Sequence, residues 1–141
     1  MAEYITNNEQ LVDMNNNVIF TDTVVSGCCN IIHRAGSGII TLRGVTGQSC
    51  TRFKVTFSGN VALPSTSAAP TNPISLAIAI DGEPILSTTM ISTPGAVSEY
   101  NNVSTATYID VPNCCCATIA VENTSSQSIN IKNANIIISR D

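Results

Sequence analysis

The sequence predicts an all-β fold, an antiparallel sandwich or barrel of about eight to ten short strands, and three observations predict it. Apolar residues recur with period two wherever a run is long enough to show a period. Clusters of Gly, Pro, Asn, Ser and Thr cut the chain at intervals that suit strands. No stretch carries a convincing helical periodicity, so strands never alternate with helices as a βαβ fold requires. At 141 residues the chain is one domain, large enough to bury a core.

Residues 1–14 read as an N-terminal arm set apart from a domain spanning 15–141. They mix Asn7, Asn8, Glu9, Gln10 and Asp13 with isolated apolar residues and lead into Asn15-Asn16-Asn17. Two short strands follow, over Cys28–Arg34 and Gly38–Gly44, around a turn at Ala35-Gly36-Ser37. The clearest strand is Arg52–Leu63. Phe53, Val55, Phe57, Val61 and Leu63 share one face and Arg52, Lys54, Thr56, Ser58 and Asn60 the other, with Gly59 interrupting the apolar series.

The loop 64–73 (PSTSAAPTNP) ends that strand. Ile74, Leu76, Ile78 and Ile80 then alternate with Ser75, Ala77, Ala79 and Asp81, and Asp81-Gly82 marks a tight hairpin because its residues tolerate positive φ. The chain returns through Ile85–Ser92 and turns at Thr93-Pro94-Gly95. Val103, Thr105, Thr107, Ile109 and Val111 define the next strand. In the run after it, Cys115, Ala117, Ile119 and Val121 face one way and Cys114, Cys116, Thr118 and Ala120 the other. The last strand, about Ser128 to Ser139, changes face between Ile131 and Ala134, which predicts a bulge near Lys132–Asn133.

Charged residues make up 11% of the chain against about 25% in ordinary soluble domains, so Asn, Ser and Thr supply the polarity. A net charge of −4 with six Lys and Arg, unclustered, excludes phosphate-backbone binding and hence a nucleic-acid partner. No apolar run approaches the ~20 residues of a membrane helix. The acidic, Asn-rich start lacks the basic segment and apolar run of a signal peptide. The expectation is a protein made in the cytoplasm with no membrane partner.

Six cysteines fall as a pair, a single and a triplet: Cys28, Cys29, Cys50, Cys114, Cys115 and Cys116. The grouping matches no zinc spacing, and contiguous strand residues point to opposite faces, so the triplet cannot converge on one metal. Small buried hydrophobes are the plain reading of these residues. An interface or a cross-link is the functional one, with Cys114 and Cys116 sharing a face that several copies bring together.

The stretches IIHRAGSGIITLRG, RFKVTFSGNVALP, ISLAIAIDGEPI and SINIKNANIIISR resemble the jelly-roll modules of the tumour-necrosis-factor and complement globular-head superfamily, over about residues 18–141. The resemblance implies an antiparallel jelly-roll sandwich that forms three-fold homotrimers. Apolar or small residues on both faces of Ile74–Ile80 and Cys114–Val121 add a second argument for a subunit interface, since a lone sandwich buries one face of each sheet. Small Asn/Ser-rich versions of the module look like phage and prophage structural proteins, which implies a virion location as a head decoration, fibre or tip component. Residues 1–14 would then attach it to other virion proteins. Similar modules cap spore-surface filaments, but this chain has no Gly-X-Y tract. A carbohydrate- or receptor-binding module is the alternative, with loop 64–73 and Glu99-Tyr100-Asn101-Asn102 as its candidate contacts.

Catalysis finds little support. His33 is the single histidine, and Cys29, four residues away along an extended chain, would lie about 13 Å from it, beyond hydrogen-bond reach. Asp81, Glu83 and Asp110 are oxygen donors without a DxDxDG loop, so they make no predicted calcium site. Gly36, Gly38, Gly44 and Gly47 lack the Lys-Ser/Thr and following helix of a phosphate loop. The sequence predicts no enzyme and no cofactor. Asn102-Val103-Ser104 and Asn123-Thr124-Ser125 match glycosylation sequons by composition alone.

Overall fold

Alternating apolar residues must leave water on one side only, and the computed structural model shows how that is met across the described residues 1–27, 29–67 and 72–140. Cys28 and four residues of the 64–73 loop (68–71) lie outside the described residues, as does Asp141. In chain order the strands are β1 (Ala2–Thr6), β2 (Gln10–Val12), β3 (Asp22–Val25), β4 (Ile31–His33), β5 (Ile40–Arg43), β6 (Cys50–Ala62) and β7 (Ile74–Ile80). They continue as β8 (Glu83–Pro84), β9 (Met90–Ser92), β10 (Asn101–Pro112), β11 (Cys116–Asn123) and β12 (Ile129–Arg140). A single 3-10 turn, Leu86–Thr88, is the only helical element among the described residues.

All pairings between these strands are antiparallel, and they make two sheets. The first runs β10-β6-β12-β1-β3, with β2 also on β12. The second runs β4-β5-β11-β7-β8, with β9 also on β7. After β5 the chain crosses from one layer to the other at each long connection, so sequence neighbours face each other across the core. The inward rows close on each other. Phe53, Val55, Phe57, Val61 and Leu63 are fully buried, as are Ile129, Ile131, Ile136 and Ile138 from β12. They meet Ile40, Leu42, Leu76, Ile78, Ile119 and Val121 from the second sheet. Each such side chain stabilises the fold by about 1.5–3 kcal/mol relative to exposure.

Local signals behave as their chemistry requires. Asp81 (φ 51°) and Gly82 (φ 87°) take the left-handed conformations of a two-residue hairpin turn between β7 and β8. The face change in β12 is a bulge: its register against β6 shifts between Lys132 and Asn135, with Asn133 at φ 54°. The return from that hairpin is broken. Thr88 takes the place of a strand partner, its Oγ1 accepting from Ile78 N (2.9 Å) and donating to Ile85 O (2.7 Å).

Three expectations need correction. Residues 1–14 are no free arm. β1 is paired on both edges, with β12 and β3, and Ala2, Tyr4, Thr6 and Val12 are buried. The short, Asn-broken pattern hid two strands that gain their stability from β12 and from the core. The double-sided apolar character of β7 also does not mark a subunit interface, because Ala77 and Ala79 are each 1% exposed within the single chain. Their side chains are short enough to be covered by flanking strands, β11 on one edge and β8, the 3-10 turn and β9 on the other. Finally, Cys114 and Cys115 precede β11 in a turn, where the sequence had read a strand.

Candidate functional site

The described cysteines among the sequence-predicted site residues come together at one end of the sandwich. Cys50 opens β6 and pairs with Pro112 at the end of β10. Cys114 and Cys115 occupy the turn to β11, closed by Cys115 N donating to Pro112 O (3.1 Å), with Cys114 at φ 62°. Cys116 opens β11 opposite Arg43, and Gly44 N donates to Cys115 O (3.1 Å). Arg43 N in turn donates to Asn30 O (2.8 Å), which places Cys29 beside the same end. The reading of these residues as buried hydrophobes is wrong for the single chain: Cys29, Cys50, Cys114, Cys115 and Cys116 are all exposed free thiols. Turns and strand starts hold them where the opposite sheet cannot cover them. Cys28 is outside the described residues.

The other candidates disperse. His33 lies against Tyr4 (ring centroids 4.4 Å) and Phe20 (6.3 Å), and its Nε2 bonds Ser37 O at 2.8 Å. Its Nδ1 is buried without a partner, so it is a packed ring rather than a base beside a nucleophile. Asp81 Oδ1 accepts from Thr118 N (2.9 Å) and Thr118 Oγ1 (3.1 Å), while Asp110 is held by Arg52 (2.8 and 3.1 Å) in the other sheet. That guanidinium draws the Asp110 carboxyl below its ordinary pKa. No group of three His, Cys, Asp or Glu among the described residues could hold a metal ion.

The opposite end is rich in amides. Asn102 Nδ2 donates to Asn60 Oδ1 (3.2 Å) and Asn60 Nδ2 to Asn133 Oδ1 (3.2 Å). Tyr100 donates to the Glu9 carboxylate, and Lys132 Nζ sits 5.0 Å from the Tyr100 ring centroid. Burial first, then the Glu9 hydrogen bond and the Glu9 charge, push the Tyr100 hydroxyl up to about 12. Loop 64–73 borders a shallow polar groove lined by Pro64, Thr66, Ser67, Asn72, Ser126, Gln127 and Ser128. Its residues 68–71 are not among those described.

Sequence reasoning missed a surface that only strand order creates. The outward side chains of the first sheet line up in cross-strand rows: Ala106, Thr56, Ile137, Glu3 and Val25 in one, and Ser104, Ser58, Asn135, Ile5 and Asp22 in the next. Tyr108, Lys54 and Ser139 form a third row. Five strands at ~4.8 Å spacing make this face about 20 Å across. No second layer of the described residues covers it, and Tyr108 is 58% exposed. The face is built mostly of uncharged residues, with Glu3 on β1, Lys54 on β6 and Asp22 on β3 as charges within its rows. Alternation showed that these residues point outward; which of them are neighbours depended on the β10-β6-β12-β1-β3 order.

No family model and no curated protein matches the chain. Solved structures do match it in fold. The globular domain of zebrafish complement 1qA protein superimposes with a TM-score of 0.58 at 10% identity, covering 99% of this chain and 98% of that one. Murine APRIL at pH 5.0 superimposes with a TM-score of 0.57 at 10% identity, covering 92% and 96%. The chain therefore has the jelly-roll sandwich of complement- and tumour-necrosis-factor-like globular domains, as the resemblance implied.

Proposed function

We propose that this chain is a non-enzymatic structural protein that self-assembles, as a homotrimer, through the outer face of its β10-β6-β12-β1-β3 sheet. The observation that carries the reading is that face: a broad outer sheet surface of mostly uncharged side chains, with Glu3, Lys54 and Asp22 the charges in its rows. Small side chains permit close approach of another backbone, and few charges need desolvation, which suits a subunit contact. The complement-like fold and the jelly-roll resemblance support the same reading. The Asn/Ser-rich composition and its likeness to phage and prophage modules favour a virion component, a head decoration, fibre or tip, as the setting.

The test is molar mass by light scattering with reductant present. The unaltered chain is expected near three times 14.8 kDa. Ser58→Arg and Ala106→Arg, both outward, are expected to keep the β-rich circular dichroism and fall to the monomer mass, because an interfacial charge without a partner costs several kcal/mol. A monomeric unaltered protein, or variants that stay trimeric, would refute the assignment of this face. The carbohydrate-binding alternative has less to recommend it, since Lys132 covers one side of the Tyr100 ring and Glu9 engages its hydroxyl.

A further inference from the structure

We infer that the thiol-lined end is a site of oxidative modification at which the Cys114-Cys115-Cys116 segment becomes disulfide-linked to a second copy of this chain. Separate segments of the chain bring exposed thiols to this one end: Cys29 before β4, Cys50 opening β6, Cys114 and Cys115 between β10 and β11, and Cys116 opening β11. Placement works against a bridge within the chain for Cys50 with Cys116 and for neighbouring members of the triplet. Cys50 faces Pro112 and Cys116 faces Arg43, so neither has a cysteine across its ladder. Cys50 and Cys116 belong to opposite sheets, whose ~10 Å spacing exceeds the ~7 Å Cα limit of a disulfide. Neighbouring members of the triplet are ~3.8 Å apart at Cα, below the ~4.4 Å at which unstrained disulfides begin. Five free, exposed thiols are available to an outside sulfur.

A second copy is the partner that supplies such sulfurs by construction. Each copy presents the same end, so two copies meeting end to end place thiols on both sides of the contact. The triplet is favoured over Cys50 because Cys114 and Cys115 lie in the turn before β11, outside the ladder, where the backbone can adjust to S–S geometry. The oxidant is a low-molecular-weight disulfide. A thiolate of the triplet attacks it, one small thiolate leaves, and a mixed disulfide forms. A thiolate of the second copy then attacks the protein sulfur, the mixed S–S bond breaks, and the second small thiolate leaves. Two protein thiols are oxidised, one small disulfide is reduced to two thiols, and the two protein protons go to them. This link needs no contact through the outer sheet face.

The experiment treats the full chain with glutathione disulfide and reads denaturing non-reducing gels and intact masses. The unaltered protein is expected to give a covalent dimer at twice 14.8 kDa that returns to monomer with dithiothreitol. A C114S/C115S/C116S variant is expected to stay monomeric on that gel while keeping its circular dichroism. A C50S variant should cross-link like the unaltered chain. Unmodified monomer, monomer lighter by two hydrogens, or monomer carrying only glutathione would each overturn the inference, as would a triple-serine variant that still dimerises or a C50S variant that does not. Light scattering in reductant reports on the sheet-face assembly separately, so failure of one leaves the other readable.

Discussion

Replacing Asn123 by alanine should be among the most damaging single changes outside the apolar core. Asn123 is fully buried, and every polar group it has is used. Its Nδ2 donates to Val12 O (3.0 Å), Gln127 O (2.9 Å) and Asp13 O (3.3 Å), and its Oδ1 accepts from Ser125 N (2.9 Å). Its backbone bonds Asn15 N (3.0 Å) and Asn16 O (2.9 Å). The side chain thus joins the end of β2 to the turn after β11, and the backbone adds segment 15–16. Alanine keeps the backbone bonds and removes the side-chain ones. Two buried groups, Val12 C=O and Ser125 N–H, lose these partners at about 1–3 kcal/mol each, so the loss should be roughly 2–6 kcal/mol. For a chain of this length that is a fall in Tm of about 7 °C or more. Urea unfolding at fixed protein concentration measures it, with an unchanged slope confirming that only stability moved. Asn102→Ala, the other sequon asparagine, has an exposed side chain and should cost under about 1 kcal/mol. Equal, small effects of the two substitutions would refute the argument that Asn123 ties the N-terminal segment to the sandwich.

Two further outcomes follow from the N-terminal region. Deleting residues 1–6 should abolish the cooperative thermal transition, because it strips β1 from between β12 and β3 and uncovers Ile136 and Ile138; a truncated chain that melts like the full one would restore the arm. In a spectrophotometric titration of the phenolates, Tyr100 should ionise near 12, and Glu9→Gln should bring it down. The native state holds the neutral phenol above the ordinary value of 10, so the contribution is whole below pH 10 and is lost as pH rises from 10 towards 12. Tyr100 titrating at its ordinary value would remove Glu9 as its partner.

Patterning by itself determined the all-β class, the β6, β7, β10 and β12 strands, the Asp81-Gly82 turn and the bulge in β12. These are local matters: period-two burial and positive φ leave their mark on adjacent residues. Patterning could not show that residues 2–12 are strands, because β1 and β2 are too short to display a period and take their order from β12, more than a hundred residues away. The same distance hid Asn123, whose partners include Val12 and Asp13, and the Tyr100–Glu9 pair, 91 residues apart. The cysteines were visible as residues, yet not as a site. Only the crossing of β5, β6, β10 and β11 between two layers gathers thiols from across the chain at one end, and only strand order lines Ala106, Thr56, Ile137, Ser104 and Ser58 into one outer face. Periodicity records which way a side chain points; which neighbours it meets is decided by contacts between chain segments that the sequence keeps apart.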